Sequence, residues 1–127
     1  KNAITEICNL FGLTVIVDDE SDIHSITALS GSGPAFFYRM VQSFIDFAKD
    51  QNLDEDTAKK LVIQTLVGAG SMLTKVDNPN QLIKQVTSPN GTTFAGLQAM
   101  DSGDFDKLMY NVLDQAKNRS IELSKEV

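Results

Sequence analysis

The residues best suited to chemistry are a cluster of hydroxyls and amides, Thr87-Ser88-Pro89-Asn90-Gly91-Thr92-Thr93. Pro89 fixes its own φ and drives Ser88 out of the helical region. Asn90 and Gly91 are residue types that accept positive φ. Thr92 and Thr93 stand before Phe94-Ala95-Gly96-Leu97-Gln98-Ala99-Met100, a short run of helical character. A tight turn feeding a helix leaves several backbone N–H groups outward, with the positive end of the helix dipole behind them. Such a bend can seat a carboxylate or a phosphate. The usual internal occupant is missing, because no Glu or Gln stands three residues after either Thr to close a capping box. No Asp or Glu occurs between Asn78 and Met100, in a chain that is otherwise acidic. An ordinary turn with a Thr cap would use the same residue types.

Other candidates are weaker. Ser30-Gly31-Ser32-Gly33-Pro34 is a small-residue loop opening a helix. It lacks the Lys of a P-loop and the strand context of a dinucleotide fingerprint. It suits a point where backbone meets backbone or ligand. Cys8 and His24 are too few for a zinc site, so no metal is expected. Cys8 falls in the apolar spacing of a helix, which favours packing over a Cys/His catalytic pair.

The net charge is −6 and the isoelectric point about 4.6, which leaves no basic face for nucleic acid. No apolar run approaches the ~20 residues that span a bilayer. The opening Lys1-Asn2-Ala3 resembles no signal peptide and lacks a Met, so a piece of a longer chain is expected. One lone Cys permits no internal disulfide and points to the cytoplasm.

Periodicity then shows what must position the turn. Ile4, Ile7, Cys8 and Phe11 predict a helix over residues 1–11, with Gly12 as its C-cap. Residues 13–17, Leu-Thr-Val-Ile-Val, predict a strand. One strand cannot satisfy its own backbone, so its partners must lie outside this chain or in another copy. After an acidic turn, Ser21 or Asp22 can cap a helix from about 23 to 30. A greasy helix runs from Pro34 to about Asp50. Asp54 caps the next, which continues to about Thr74 and contains Gly68 and Gly70. Glycines there cost helix propensity and favour close helix–helix approach. Asn78-Pro79 opens a helix to Val86, the turn and the 94–100 helix follow, and a long helix begins at Asp104. The expected fold is all-α, about six or seven helices, after an initial helix and strand. The apolar load predicts homo-oligomerisation through helices, with Phe36, Phe44, Met72 and Leu113 in the core or the interface.

Two stretches resemble the signatures of pyrroline-5-carboxylate reductase: Ile26-Thr27-Ala28-Leu29-Ser30-Gly31-Ser32-Gly33-Pro34-Ala35 and residues 85–97, Gln-Val-Thr-Ser-Pro-Asn-Gly-Thr-Thr-Phe-Ala-Gly-Leu. Gln64-Thr65-Leu66-Val67-Gly68-Ala69 fits between them. The resemblance covers about residues 11 to 124 and implies the helical C-terminal dimerisation domain of that enzyme. Residues 1–20 are then the last helix and strand of an absent Rossmann domain, and residues 21–127 the dimerisation and substrate-binding domain. It also implies reduction of 1-pyrroline-5-carboxylate to L-proline, the last step of proline synthesis, with NADPH or NADH held by the absent half and none bound by this chain alone.

The family's turn matching residues 88–93 holds the substrate carboxylate through backbone N–H groups. A Thr hydroxyl at the position of Thr93 lies near the imine nitrogen. This implies Ser88, Gly91, Thr92 and Thr93 as substrate-binding residues, Thr93 as the catalytic one, and Ser30, Gly31, Ser32 and Gly33 at the seam near the cofactor. A homodimer, or a higher oligomer, is implied. Family members commonly carry Gly-Gly where this chain has Asn90-Gly91. Asn tolerates the left-handed region, so the turn is expected to survive. The alternatives are a non-catalytic helical dimerisation module and the helical domain of another Rossmann-linked dehydrogenase. The latter usually relies on a helix-borne Lys, yet Lys59, Lys60 and Lys84 stand in no recognisable motif.

Overall fold

The computed structural model describes residues 2–126. Lys1, included in the expected first helix, lies outside the described residues. Among those described there are seven α-helices and no strand: α1 (Asn2–Asn9), α2 (Asp22–Ile26), α3 (Gly33–Asp50), α4 (Glu55–Leu73), α5 (Pro79–Val86), α6 (Thr92–Ser102) and α7 (Phe105–Leu123). A π-helical turn, Thr27–Gly31, joins α2 to α3.

Three expectations near the N-terminus are corrected. Helix α1 stops at Asn9, so Gly12 does not cap it. Residues 13–17 form no sheet among the described residues, because a β-rich run becomes a strand only against a ladder partner. Thr14 N–H donates instead to the Asn9 side-chain oxygen at 3.2 Å. Cys8 is exposed and fills no core.

Two of the N-caps read from the sequence are present, whereas Ser21 stands at the N-cap of α2 without a side-chain cap hydrogen bond. Asp54 Oδ1 accepts from the N–H groups of Asp56 and Thr57, each at 3.1 Å, and opens α4. Asn78 Oδ1 accepts from Gln81 N–H at 3.1 Å and opens α5. Helix α3 ends in a Schellman motif. Asn52 takes φ 63°, Leu53 N–H donates to Ala48 O at 3.0 Å, and Asn52 N–H to Lys49 O at 2.9 Å. That stop folds α4 back on α3, burying Ile45 and Ala58. Asp104, at φ 54°, sits between the end of α6 and the start of α7.

Helix α7 closes the chain. It packs on α2 and on the π turn, and α6 packs on α7. Ala28 is buried in that contact zone. Beyond these contacts the single chain has little core. Its accessible surface is 10466 Å², whereas a compact monomer of 13.9 kDa exposes about 6,700 Å². Helices α3 and α4 are not covered all round in one copy, where Phe44, Phe47, Leu61 and Val67 are all exposed. An added Cβ at Gly68 or Gly70 meets no neighbour within 4 Å, so among the described residues none makes the close approach expected of them.

Candidate functional site

The bend before α6 is built from four residues. Gly91 N–H donates to Ser88 O at 3.0 Å, closing a β-turn with Pro89 and Asn90 at its centre. Pro89 suits the first central position, and Asn90 takes φ 57° at the second, the pattern of a type II turn. The positive φ expected of this bend therefore falls on Asn90 and not on Gly91, which is the extended N-cap at φ −81° and ψ 177°.

Gly91 is required for a different reason. A Cβ on it would run into Ser88 Oγ and lie 3.2 Å from Ser88 O. The turn closes so tightly that only hydrogen fits there.

Helix α6 starts at Thr92, two residues before the expected run, and has no side-chain cap. Its first internal hydrogen bond runs from Ala95 N–H to Gly91 O at 3.1 Å. Among the described residues, no acceptor meets the N–H groups of Thr92, Thr93 and Phe94. Thr92 and Thr93 are exposed. Three open amides stand at the positive end of an eleven-residue helix, an arrangement that suits an anion. Lys84, in the last turn of α5, is the charged residue closest in sequence on the upstream side, and the first acid downstream is Asp101. The Thr87 hydroxyl faces away from such a role, donating to Ile83 O at 2.6 Å.

The Ser30–Gly33 stretch is corrected from a loop to a nearly continuous helix. Ser32 N–H donates to Thr27 O at 2.8 Å, the i to i−5 bond of a π turn. Ser30 Oγ donates to Ile26 O at 2.9 Å, and Thr27 Oγ1 to Ile23 O at 2.8 Å. These hydroxyls are spent on their own helix. Gly33 is the first residue of α3 and Pro34 the second. The π turn and α6 both pack on α7, so α7 is the element that relates Ser30, Gly31, Ser32 and Gly33 to Ser88, Gly91, Thr92 and Thr93. Sequence reasoning missed the His24–Ser120 hydrogen bond that ties α2 to α7, because nothing local links residues 96 positions apart.

Among the described residues there is no cluster of three metal-binding side chains and no helix long and apolar enough to cross a membrane. No strand, glycine-rich loop and helix follow one another among those residues.

A family model described as pyrroline-5-carboxylate reductase dimerisation matches residues 20–123. The chain is similar to pyrroline-5-carboxylate reductase of Pseudomonas aeruginosa, 37% identical over 123 residues, covering 96% of this chain and 45% of the relative. It is also 37% identical over 109 residues to pyrroline-5-carboxylate reductase 2 of Bacillus subtilis, covering 85% of this chain and 39% of that one. The fold matches a solved pyrroline-5-carboxylate reductase from Coxiella burnetii with a TM-score of 0.91 at 36% identity, over 96% of this chain and 46% of the other. It matches the NADP-bound pyrroline carboxylate reductase of Plasmodium falciparum with a TM-score of 0.85 at 32% identity, over 94% and 45%. The chain thus spans about half the length of the curated relatives it matches.

Proposed function

Because the chain belongs to the pyrroline-5-carboxylate reductase dimerisation family, we propose that it is the substrate-holding half of a cytoplasmic enzyme that reduces 1-pyrroline-5-carboxylate to L-proline. Residues 1–20 belong in this reading to a nucleotide-binding half, and residues 21–127 form the helical half that makes a homodimer. The observation that carries the reading is the set of unpartnered Thr92, Thr93 and Phe94 amides behind a turn that only Gly91 can close.

The substrate is a small cyclic imine with one carboxylate. The three amides take the carboxylate, and the dipole of α6 adds favourable charge without an acid to oppose it. The Thr93 hydroxyl, one residue into the helix, hydrogen-bonds the ring nitrogen and orients the C=N bond. NADPH or NADH, held by the other half, supplies the hydride. The chain's own residues bind the anion, fix the ring and, once covered, exclude water. No acid–base pair is needed for that work, in keeping with a bend that carries only hydroxyls and amides.

The test is a binding and turnover pair. Amide chemical shifts of residues 91–94 are followed while L-proline is titrated into the chain, and NADPH absorbance is followed with 1-pyrroline-5-carboxylate. Shifts confined to those amides, with no turnover by the chain alone, are expected. Shifts elsewhere, or turnover without a nucleotide-binding half, overturn the reading.

A further inference from the structure

An asparagine carboxamide carbon lies within reach of the main-chain nitrogen of the next residue, and the two can close a five-membered ring. A side chain on that next residue is what ordinarily hinders the closure. Among the asparagines of the sequence, only Asn90 is followed by glycine.

Asn52 is the natural comparison. It is exposed, as Asn90 is, and it holds the same left-handed conformation, φ 63° against 57°. The nitrogen after each is engaged alike, Leu53 N–H donating to Ala48 O at 3.0 Å and Gly91 N–H to Ser88 O at 3.0 Å. What differs is the neighbour, since Leu53 carries a bulky side chain and Gly91 none. The Asn90 carboxamide is also untethered. Asn9 and Asn78 accept from the N–H groups of Thr14 and Gln81 through their side-chain oxygens, whereas the Asn90 side chain makes no hydrogen bond among the described residues.

We infer that Asn90–Gly91 is a deamidation site whose product closes the three open amides of α6 to any other anion. When the turn opens, the Gly91 nitrogen gives up its proton and attacks Asn90 Cγ. The N–Cγ bond forms, the Cγ–Nδ2 bond breaks, and ammonia leaves with the proton. Water then opens the succinimide at one of its two carbonyls. One opening leaves aspartate at position 90, and the other leaves isoaspartate, with the main chain running through the side-chain carbon. The balance is one water taken up and one ammonia released, with no oxidant or reductant.

Either product disables the bend. An aspartate there stands two residues before Thr92, the spacing at which its carboxylate accepts from the main-chain N–H. It also meets the positive end of the α6 dipole. Between Asn78 and Met100, where no acid occurs, it supplies the internal occupant that is otherwise missing. Isoaspartate lengthens the main chain by one carbon, and the Gly91 N–H to Ser88 O closure is lost. This rests on the substrate reading above and adds regulation to the same site, because carboxylate binding then declines with the age of the chain.

The chain is incubated at mildly alkaline pH, and its tryptic peptides are analysed by mass at intervals. Asn90 is expected to convert at least tenfold faster than Asn52, and a smaller ratio overturns the modification site. L-proline binding is followed by nuclear magnetic resonance in the fresh chain, the aged chain, Asn90→Asp and Asn90→Gly. The aged chain should lose binding in proportion to the fraction converted, and Asn90→Asp should bind at least tenfold more weakly than the fresh chain. Asn90→Gly has no carboxamide to react and should lose nothing over the same incubation. Full binding by Asn90→Asp and by the aged chain overturns the closure and leaves the substrate reading standing. A fresh chain that binds no L-proline overturns the substrate reading and the closure together, and the two peptide rates still decide the modification.

Discussion

His24 Nδ1 and Ser120 Oγ share a hydrogen bond of 2.9 Å across 96 residues of sequence. It joins α2 near the start of the helical body to the last turns of α7, and both residues are half-buried. With the packing of α7 on the π turn, it closes the chain on itself.

Ser120→Ala removes that bond and leaves a half-buried imidazole nitrogen without its partner. A loss of about 1 kcal/mol is expected. Urea unfolding at a fixed protein concentration measures it, since a homo-oligomer's stability varies with concentration. His24→Ala and the double variant complete the cycle. Additive effects would mean that the two side chains do not interact.

Gly91→Ala puts a methyl group against Ser88 Oγ. The turn has to open, and the Thr92, Thr93 and Phe94 amides lose their common aim. Such overpacking costs ~1–3 kcal/mol. L-proline binding by the chain is expected to vanish in a titration followed by nuclear magnetic resonance. Adding Ser88→Ala removes the clashing hydroxyl and should restore part of the stability, although Ser88 O remains 3.2 Å away.

Asn90 holds the left-handed conformation at φ 57°. Asn90→Gly should leave the thermal midpoint nearly unchanged. Asn90→Val should lower stability by ~1–2 kcal/mol, because a β-branched residue resists positive φ. Equal midpoints for the Gly and Val variants would show that the turn does not depend on this conformation.

Much of this architecture was legible because its signals are local. Asp54 and Asn78 announce helix starts by side-chain chemistry, and Pro89-Asn90-Gly91 announces a turn. The misread parts depend on what lies farther away. Residues 13–17 have the composition of a strand, but a ladder needs a partner that no described residue provides. The Ser30–Gly33 glycines suggested a loop, yet neither takes positive φ and the hydroxyls of Thr27 and Ser30 bond back along the helix. Phe44 and Met72, expected in the core or in an interface, lie outside the core of the single chain. At the bend, the sequence allowed positive φ at Asn90 and at Gly91, and only Asn90 takes it, while Gly91 is constrained by the closeness of Ser88 and not by its φ.

Thr93→Val keeps the shape of the side chain and removes its hydroxyl. In the full-length reductase, kcat/KM is expected to fall at least tenfold, the equivalent of one hydrogen bond of ~1.4 kcal/mol to the reacting ring. The thermal midpoint should hardly move, since Thr93 is exposed. Normal turnover by this variant would remove the hydroxyl from the reaction and leave the amides as the only substrate contacts.

Asp54 makes the acid response of α4 predictable. Hydrogen bonds from Thr57, side chain and then backbone, and from the Asp56 N–H hold its carboxyl below the ordinary aspartate value. A group whose folded value is depressed stabilises the fold above its unfolded value and loses that contribution as pH falls through the folded one. The loss therefore begins below about pH 4. Asp54→Asn keeps an oxygen acceptor for the Asp56 and Thr57 amides but cannot be protonated. Its helicity near 222 nm should be slightly lower than wild type at neutral pH, because the charge at the N-terminus of α4 is gone. Between pH 4 and pH 2 the gap should narrow, as the wild-type carboxylate takes up its proton and the variant has none to gain. Parallel curves over that interval would show that the cap is not what titrates.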